Sequence, residues 1–485
     1  MNLQPKWGRR GMAVAPHSLA AESAVSVMRE GGNALEAMIA AAATIAVVYP
    51  HMNSIGGDSF WVIHRPGHAM GGIDACGAAA GLASRRWYAD QGIHQAIPFR
   101  GPVAANTVAG TISGWGAAHE LSRRSLGGRM PLTRLLDDAI TYARTGVPVT
   151  HSQHRLTAAK LPELRDQPGF AETFLSQGVS PATGSVFLQP RLAATLAQVA
   201  RAGTKDFYQG DLARSMARDL ARLGSPLRLS DLQRHSARLI NPLTLQHSQG
   251  RVHNMTPPTQ GLMSLIILGL LDRLRLGQHA VDSVDHVHLC VEATKQAFKV
   301  RDQHLTDPAY MRRDPAEFLT SQALDEMARQ VDLQRALPWG AGRPPADTIW
   351  MGVIDGSGLC VSFIQSIYHE FGSGIVLPDS GVNWQNRGCS FSLSPAALNT
   401  LEPHRKPFHT LNPALAVLDP APAVARHLGA VLSQADLLNT TADQPEHRFF
   451  TTGDVEAFDR SVARLVGASC GSQSLAWQNG HLHRL

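Results

Sequence analysis

Apolar positions recur at helical spacing through "HSLAAESAVSVMRE", break at Gly31 and Gly32, and then run almost without interruption through "AMIAAAATIAVV", residues 37–48. The first pattern predicts an amphipathic helix ended by the glycine pair, and the second a helix buried on every side. Asn33 followed by Glu36 reads as a capping box that opens the buried helix, each side chain satisfying backbone N–H groups that the first turn leaves free. The apolar run is stopped by Pro50 and is too short to span a bilayer, so no membrane partner is expected.

Helical spacing returns in "PLTRLLDDAITYARTG" and "VDHVHLCVEATKQAFKVRDQHL", whereas "WMGVIDGSGLCVSFIQSI" alternates as strand, "DGSG" turn, strand. The chain is thus mixed α and β, mostly helical before Thr348 and turning to paired strands after it, with no repeat period. Between the two regimes, "RALPWGAGRPPAD", residues 335–347, predicts an exposed, irregular connection. A peptide bond poised to be cut would lie at the end of that loop.

Composition narrows the class. With 485 residues, 44% hydrophobic and 17% charged, the chain can bury a large core, as two or three ordinary domains or one oversized fold. The net charge of +5 hints at an anionic partner, but the basic residues are scattered and few aromatics lie beside them, so nucleic acid is not expected. Cys76, Cys290, Cys360, Cys389 and Cys470 stand far apart with no CxxC pair, which suits reduced thiols. The stretch "MNLQPKWGRRGMAVAPHS" lacks the apolar segment of a secretory signal, and a cytoplasmic location is expected.

Local motifs exclude several chemistries. "SIGGDSFW", residues 54–61, lacks the spacing and lysine of a phosphate loop and reads as a tight turn between helix and strand. His286 and His288, two apart on a predicted helix, point in different directions and make a poor metal site. HExxH does not occur. No metal or cofactor is expected. Thr348 remains, although an isolated threonine at a strand start is ordinarily structural.

Read from end to end, the chain resembles the gamma-glutamyltranspeptidase family. The resemblance rests on residues 11–63, on "GRMPLTRLLDDAITYARTGVPVT", "DFYQGDLAR", "MTPPTQGLMSL" and "VEATKQAFKVRDQHLTDP", and on "DTIWMGVIDGSGLCVSFIQSIYHEFGSGIVLPDSG" and "RKPFHTLNPALAVLD". It covers about residues 10–419. It implies an α+β Ntn hydrolase, a four-layer αββα sandwich made as an inactive precursor that cuts itself on the N-terminal side of a threonine. The matching residue is Thr348, which places autocleavage between Asp347 and Thr348. Residues 1–347 would become a large, mostly helical subunit with some sheet strands, and residues 348–485 a small one, the two staying associated as a heterodimer open to further oligomerisation.

A threonine hydroxyl needs a base to receive its proton as it attacks. An α-amine, with an unperturbed pKa of about 7.7 to 8.0, can be that base once cleavage exposes it. The resemblance also implies a second hydroxyl beside the nucleophile, at Ser366, and an arginine for the donor's α-carboxylate, at Arg85 with Arg86 one step away. An arginine suits a carboxylate because its fork donates two parallel hydrogen bonds. His409 and Thr410 fall where transpeptidases carry paired serines and are expected to act as pocket donors.

Three departures from the transpeptidase pattern bear on the substrate. Tyr368 replaces an asparagine, Ser390 stands where an aspartate would hold an α-ammonium, and Arg387 replaces a nearby amide. Without an anion for the ammonium, an amino-acid donor is disfavoured. The segments "QSIYHEFGSG", "WQNRG" and "RKPFHTLNP" resemble the oxamate amidohydrolase branch of the family, whose members convert oxamate to oxalate and ammonia in purine breakdown. A small anionic amide is therefore the expected substrate; a glutathione hydrolase or transpeptidase and a glutaryl-type acylase are the alternatives.

From about residue 420 the sequence is atypical. The family's glycine pair, whose N–H groups form the oxyanion hole, has no counterpart there, and the small fragment is short. A reading-frame change and a genuine variant tail both account for this. One missing oxyanion donor costs about 3 to 4 kcal/mol of transition-state stabilisation, so a catalytically inactive relative, with core surface left uncovered, is a further alternative.

Overall fold

The computed structural model describes residue 8, residues 10–340 and 348–418, and beyond these only short pieces between 450 and 484. Residues up to Leu418 form one compact unit and those from Asp419 a second. In the second, Phe450–Thr451, Gln473–Gln478 and His481–Arg484 make a three-stranded sheet.

The described residues of the first unit form eleven strands: β1 Gly11–Val14, β2 Asp58–His64, β3 Gly71–Ala75, β4 Val147–Pro148, β5 Val186–Phe187, β6 Arg238–Ile240, β7 Leu243–His247, β8 Gly250–Asn254, β9 Ile349–Asp355, β10 Cys360–Ser366 and β11 Ala414–Leu418. The central sheet has the order β1-β9-β10-β2-β3-β6, every neighbouring pair antiparallel. A second sheet has the order β11-β8-β7, and β4 pairs only with β5.

Three apolar clusters define four layers. On one face of the central sheet, Trp61, Ile63, Met351, Val353 and Phe363 pack with the first helices, α1 Ser18–Arg29 and α2 Ala34–Val48. On its other face, Phe60, Val62, Cys76 and Ile364 meet Met255 and Leu411 beside the second sheet. Beyond that sheet, Leu245 packs with the helices Gly261–Arg273 and Val284–His304. Helix, sheet, sheet and helix thus follow one another, because β2 and β10 are apolar on both faces and need a cover on each. The Ntn-hydrolase sandwich expected from the sequence is present.

The buried helix forms as its pattern predicts. Every residue of α2 is buried, and Asn33 and Glu36 make the capping box. Glu36 also accepts from Met130 N, and Asp355, at the head of the "DGSG" turn, accepts from Ala34 N. The segment read as one helix from residue 131 is divided, into Leu132–Leu135 and Asp137–Thr145. At the β1–β9 end of the central sheet an apolar strip stays exposed: Val14 at 48%, Trp350 at 46% and Ile354 at 42%. No helix among the described residues is long and apolar enough to cross a membrane.

Candidate active site

Register places the predicted nucleophile. Ile349 pairs with Gln365, Ser366 with Asp58, and Ser59 with Ala75. Continuing the β9–β10 and β2–β3 registers by one residue lines up Thr348, Ser366, Asp58 and Cys76 in a single row across the end of the sheet. Neighbours in such a row are about 5 Å apart. The row lies on the face toward the second sheet, since Ser366 and Asp58 are each two residues from Ile364 and Phe60 of the inter-sheet cluster. Thr348 is exposed, whereas Ser366 is buried and its Oγ accepts from Tyr368 N at 3.0 Å. Asp347 lies outside the described residues.

The "SIGGDSFW" motif supplies the third member of the row. Gly57 passes so close to β10 that a Cβ there would sit 2.3 Å from the Ser366 carbonyl oxygen, so the glycines are needed for contact between backbones. The aspartate after them is wholly buried. Asp58 Oδ1 accepts from Gly77 N and Gly110 N, both at 3.0 Å, and its Oδ2 lies 3.0 Å from His409 Nε2. Burial pushes the Asp58 carboxyl up to about 6, against the two N–H groups and the charge of Arg387. Burial drives His409 well below the usual histidine range. Near neutral pH Asp58 is therefore ionised and His409 neutral, with Nε2–H donating to the carboxylate.

Arg387 and Tyr368 stand over this floor. Arg387 is 1% exposed, its guanidinium carbon 3.7 Å from the centre of the Tyr368 ring. Its Nε and Nη1 are buried without a hydrogen-bond partner among the described residues. Tyr368 has φ of 82°, a left-handed conformation that strains a residue with a Cβ. Gly388 follows Arg387 because the Asn106 amide fills the space a side chain would need. Ser390 Oγ donates to the Phe408 carbonyl at 3.3 Å, and Thr410 is half-buried, its carbonyl accepting from Asn412.

Arg85 is placed differently. It opens a short helix, α3 Arg85–Ala89, and forms a half-exposed ion pair with Glu402 at 3.4 Å, while Arg86 is exposed beside Asp90. Asp58 is the site residue that sequence reading missed. A charged residue heading the unbroken apolar run "SFWVI" was the available signal, because an aspartate entering a doubly buried strand needs partners there.

Asp58, Cys76 and His409 each bring one ligand atom to within 4.8 Å of the others, close enough to hold a metal ion. The Arg387 charge acts on all three groups and opposes a divalent cation. His288, read as a poor ligand, faces the Asp332 carbonyl at 2.8 Å. Cys76, Cys290, Cys360 and Cys389 are free thiols, and Cys470 lies outside the described residues.

Comparison with known proteins decides the family. Residues 20–430 match the gamma-glutamyltranspeptidase family. The chain belongs to it. The oxamate amidohydrolase proenzyme of Klebsiella pneumoniae is 56% identical over 409 residues, covering 84% of this chain and 76% of that protein. The glutathione hydrolase proenzyme of Escherichia coli is 26% identical over 436 residues, covering 86% and 74%. Among solved structures, cephalosporin acylase from Bacillus halodurans superposes with a TM-score of 0.78 at 26% identity over 99% of this chain and 92% of that one. This gamma-glutamyltranspeptidase-family chain is thus a self-processing amidohydrolase with an N-terminal threonine nucleophile that fits the family.

Several histidines of this family member fix how its stability depends on acid. Burial lowers His51 to about 3, and His235 and His369 to about 4. The unfolded chain, with ordinary histidines, binds more protons below pH 6.5, so this stability is complete above pH 6.5 and lost as pH falls. Asp58, shifted upward, acts in the opposite sense below about pH 6 and offsets part of the loss. Urea midpoints are expected to fall between pH 7 and pH 5. In His51→Phe the decline should be shallower by about 2 kcal/mol, and an unchanged slope would refute this assignment.

Proposed function

We propose that the chain hydrolyses a small anionic amide, with oxamate as the substrate, giving oxalate and ammonia through an acyl ester on Thr348. One observation carries this reading: the buried Arg387 guanidinium with two unpaired N–H donors beside the Thr348 row. Buried guanidinium donors without a hydrogen-bond partner are costly even with the Asp58 charge nearby, and a ligand carboxylate accepting from both would offset that cost. The 56% identity to an oxamate amidohydrolase proenzyme supports the same substrate. Arg387 takes the anion-binding role that the sequence suggested for Arg85. An α-ammonium finds a cation where it needs an anion, and Ser390 supplies only a hydroxyl, which argues against glutathione.

In the precursor, the Thr348 hydroxyl attacks the Asp347 carbonyl, the acyl group moves from nitrogen to oxygen, and water hydrolyses the ester. Asp347 then ends the large subunit and Thr348 begins the small one with a free amine. In turnover, Thr348 Oγ1 attacks the amide carbon and the amine takes the hydroxyl proton. The tetrahedral oxyanion collapses, and the leaving nitrogen departs as ammonia with that proton. Water then attacks the ester and gives one proton to the amine, which returns it to Oγ1 as the carboxylic acid leaves; the acid's remaining proton passes to solvent or to the released ammonia. Ser366, beside Thr348 in the row, is the second hydroxyl. Tyr368 packs Arg387 in place, and Thr410, half-buried next to His409, is the further pocket donor. The two fragments remain a heterodimer.

Ammonia or amine release from oxamate, glutaryl amides and glutathione tests the reading. Oxamate is expected to give the highest kcat/KM, and glutathione outrunning it would overturn the substrate assignment. A purified, cut protein idle on all three would favour the inactive relative suggested by the missing glycine pair.

A further inference from the structure

We propose that His409, held in one tautomer by Asp58, is the residue that distinguishes an amide from an ester or acid at this site. The inference rests on the oxamate reading and adds a second recognition element to Arg387. Asp58 Oδ1 is occupied by two backbone N–H donors, so only Oδ2 is left for the imidazole, 3.0 Å from Nε2. An ionised carboxylate accepts and cannot donate; Nε2 therefore carries the ring proton. The remaining nitrogen, Nδ1, is a bare acceptor, wholly buried and without a partner among the described residues. The sequence suggested a donor at this position, and the Asp58 contact reverses that polarity.

Arg387 keeps unpaired buried donors and His409 one unpaired buried acceptor among the described residues, and the arginine charge acts on the imidazole. A carboxylate bonded directly to a carboxamide is the complement: its oxygens accept from Arg387 and its NH2 donates to Nδ1. An ester or a second carboxylate at that end would set an oxygen lone pair against the Nδ1 lone pair. Buried polar sites reject the analogue that leaves a group unpaired far more strongly than apolar pockets reject a change of size. His409 is thus a specificity-determining residue and Asp58 a positioning residue.

The test compares kcat/KM for oxamate and for the monoethyl ester of oxalic acid. Asp58→Asn keeps an acceptor for Gly77 and Gly110 but turns an N–H toward Nε2, forcing the ring proton onto Nδ1. The amide-to-ester ratio is expected to fall by about tenfold or more in that variant. His409→Gln, whose amide can donate to Asp58 and still offer its carbonyl, should hold the ratio within about threefold of wild type. Equal loss on both substrates in Asp58→Asn, with the ratio unchanged, would overturn the proposal. Nitrogen NMR of histidine-labelled wild-type protein near pH 7.5, assigned by the signal missing in His409→Gln, provides a readout independent of turnover. A bare Nδ1 and protonated Nε2 are expected, and a protonated Nδ1 would sink the idea even if Asp58→Asn fails to fold. Wild-type protein inactive on oxamate would instead defeat the substrate reading, leaving the tautomer to the NMR result.

Discussion

Thr348→Ala is expected to give one uncut chain of 52.2 kDa where the wild type gives two fragments, and to lower turnover by at least about ten-thousandfold. Both effects stem from one atom. In the proposed mechanism the hydroxyl oxygen that attacks the preceding carbonyl in the precursor later attacks substrate, and the amine released by the first reaction is the base of the second. Thr348→Ser keeps the oxygen and should retain cleavage. Denaturing gels of the three proteins check the first effect, and ammonia release checks the second. Two fragments from the alanine variant, or its turnover near wild type, would remove Thr348 from the mechanism. Since α2, β2 and β10 build the core without the Thr348 side chain, the uncut variant should keep the folded spectrum of the wild type.

Arg387→Gln should lower kcat/KM for oxamate by about a hundredfold to a thousandfold, mostly through KM, because a buried carboxylate would lose its charged partner. The same change should leave the unliganded protein at least as stable as wild type. Two donors of its buried guanidinium lack a hydrogen-bond partner among the described residues, and removing the group relieves desolvation where Asp58 is protonated. The stability comparison is best made at pH 5, where Asp58 is mostly protonated and less affected by the lost cation. Urea midpoints with and without oxalate separate the two effects: added oxalate should raise the wild-type midpoint and leave the variant unmoved. A variant that is both markedly less stable and fully active would show Arg387 to be structural.

Much of the fold was legible because local physics and tertiary packing agree there. The capping box at Asn33 and Glu36 and the β9–β10 hairpin around "DGSG" each depend on residues within a few positions of one another. Even the pairing of Thr348 with Ser366 can be counted outward from that turn. The proposed anion partner was harder. Arg85 sits in a recognisable motif, but its side chain faces Glu402, and nothing within its own helix reveals that. Arg387 departs from the family pattern in sequence, yet its burial goes with packing against Tyr368 in another segment. The Asp58–His409 contact joins residues 351 positions apart. No periodicity reaches that far.

Strand parity limits how this site can change over time. The connection before Thr348 can lengthen or shorten without turning the hydroxyl, because Thr348 takes its position from strand β9 on its C-terminal side. Between Thr348 and the Asp355 turn, however, adding or deleting one residue would swing the attacking oxygen from the inner face to the helix-covered face, and only changes by two would return it. The nucleophile is therefore tied to an odd-and-even rule that point substitutions elsewhere in β9 do not face.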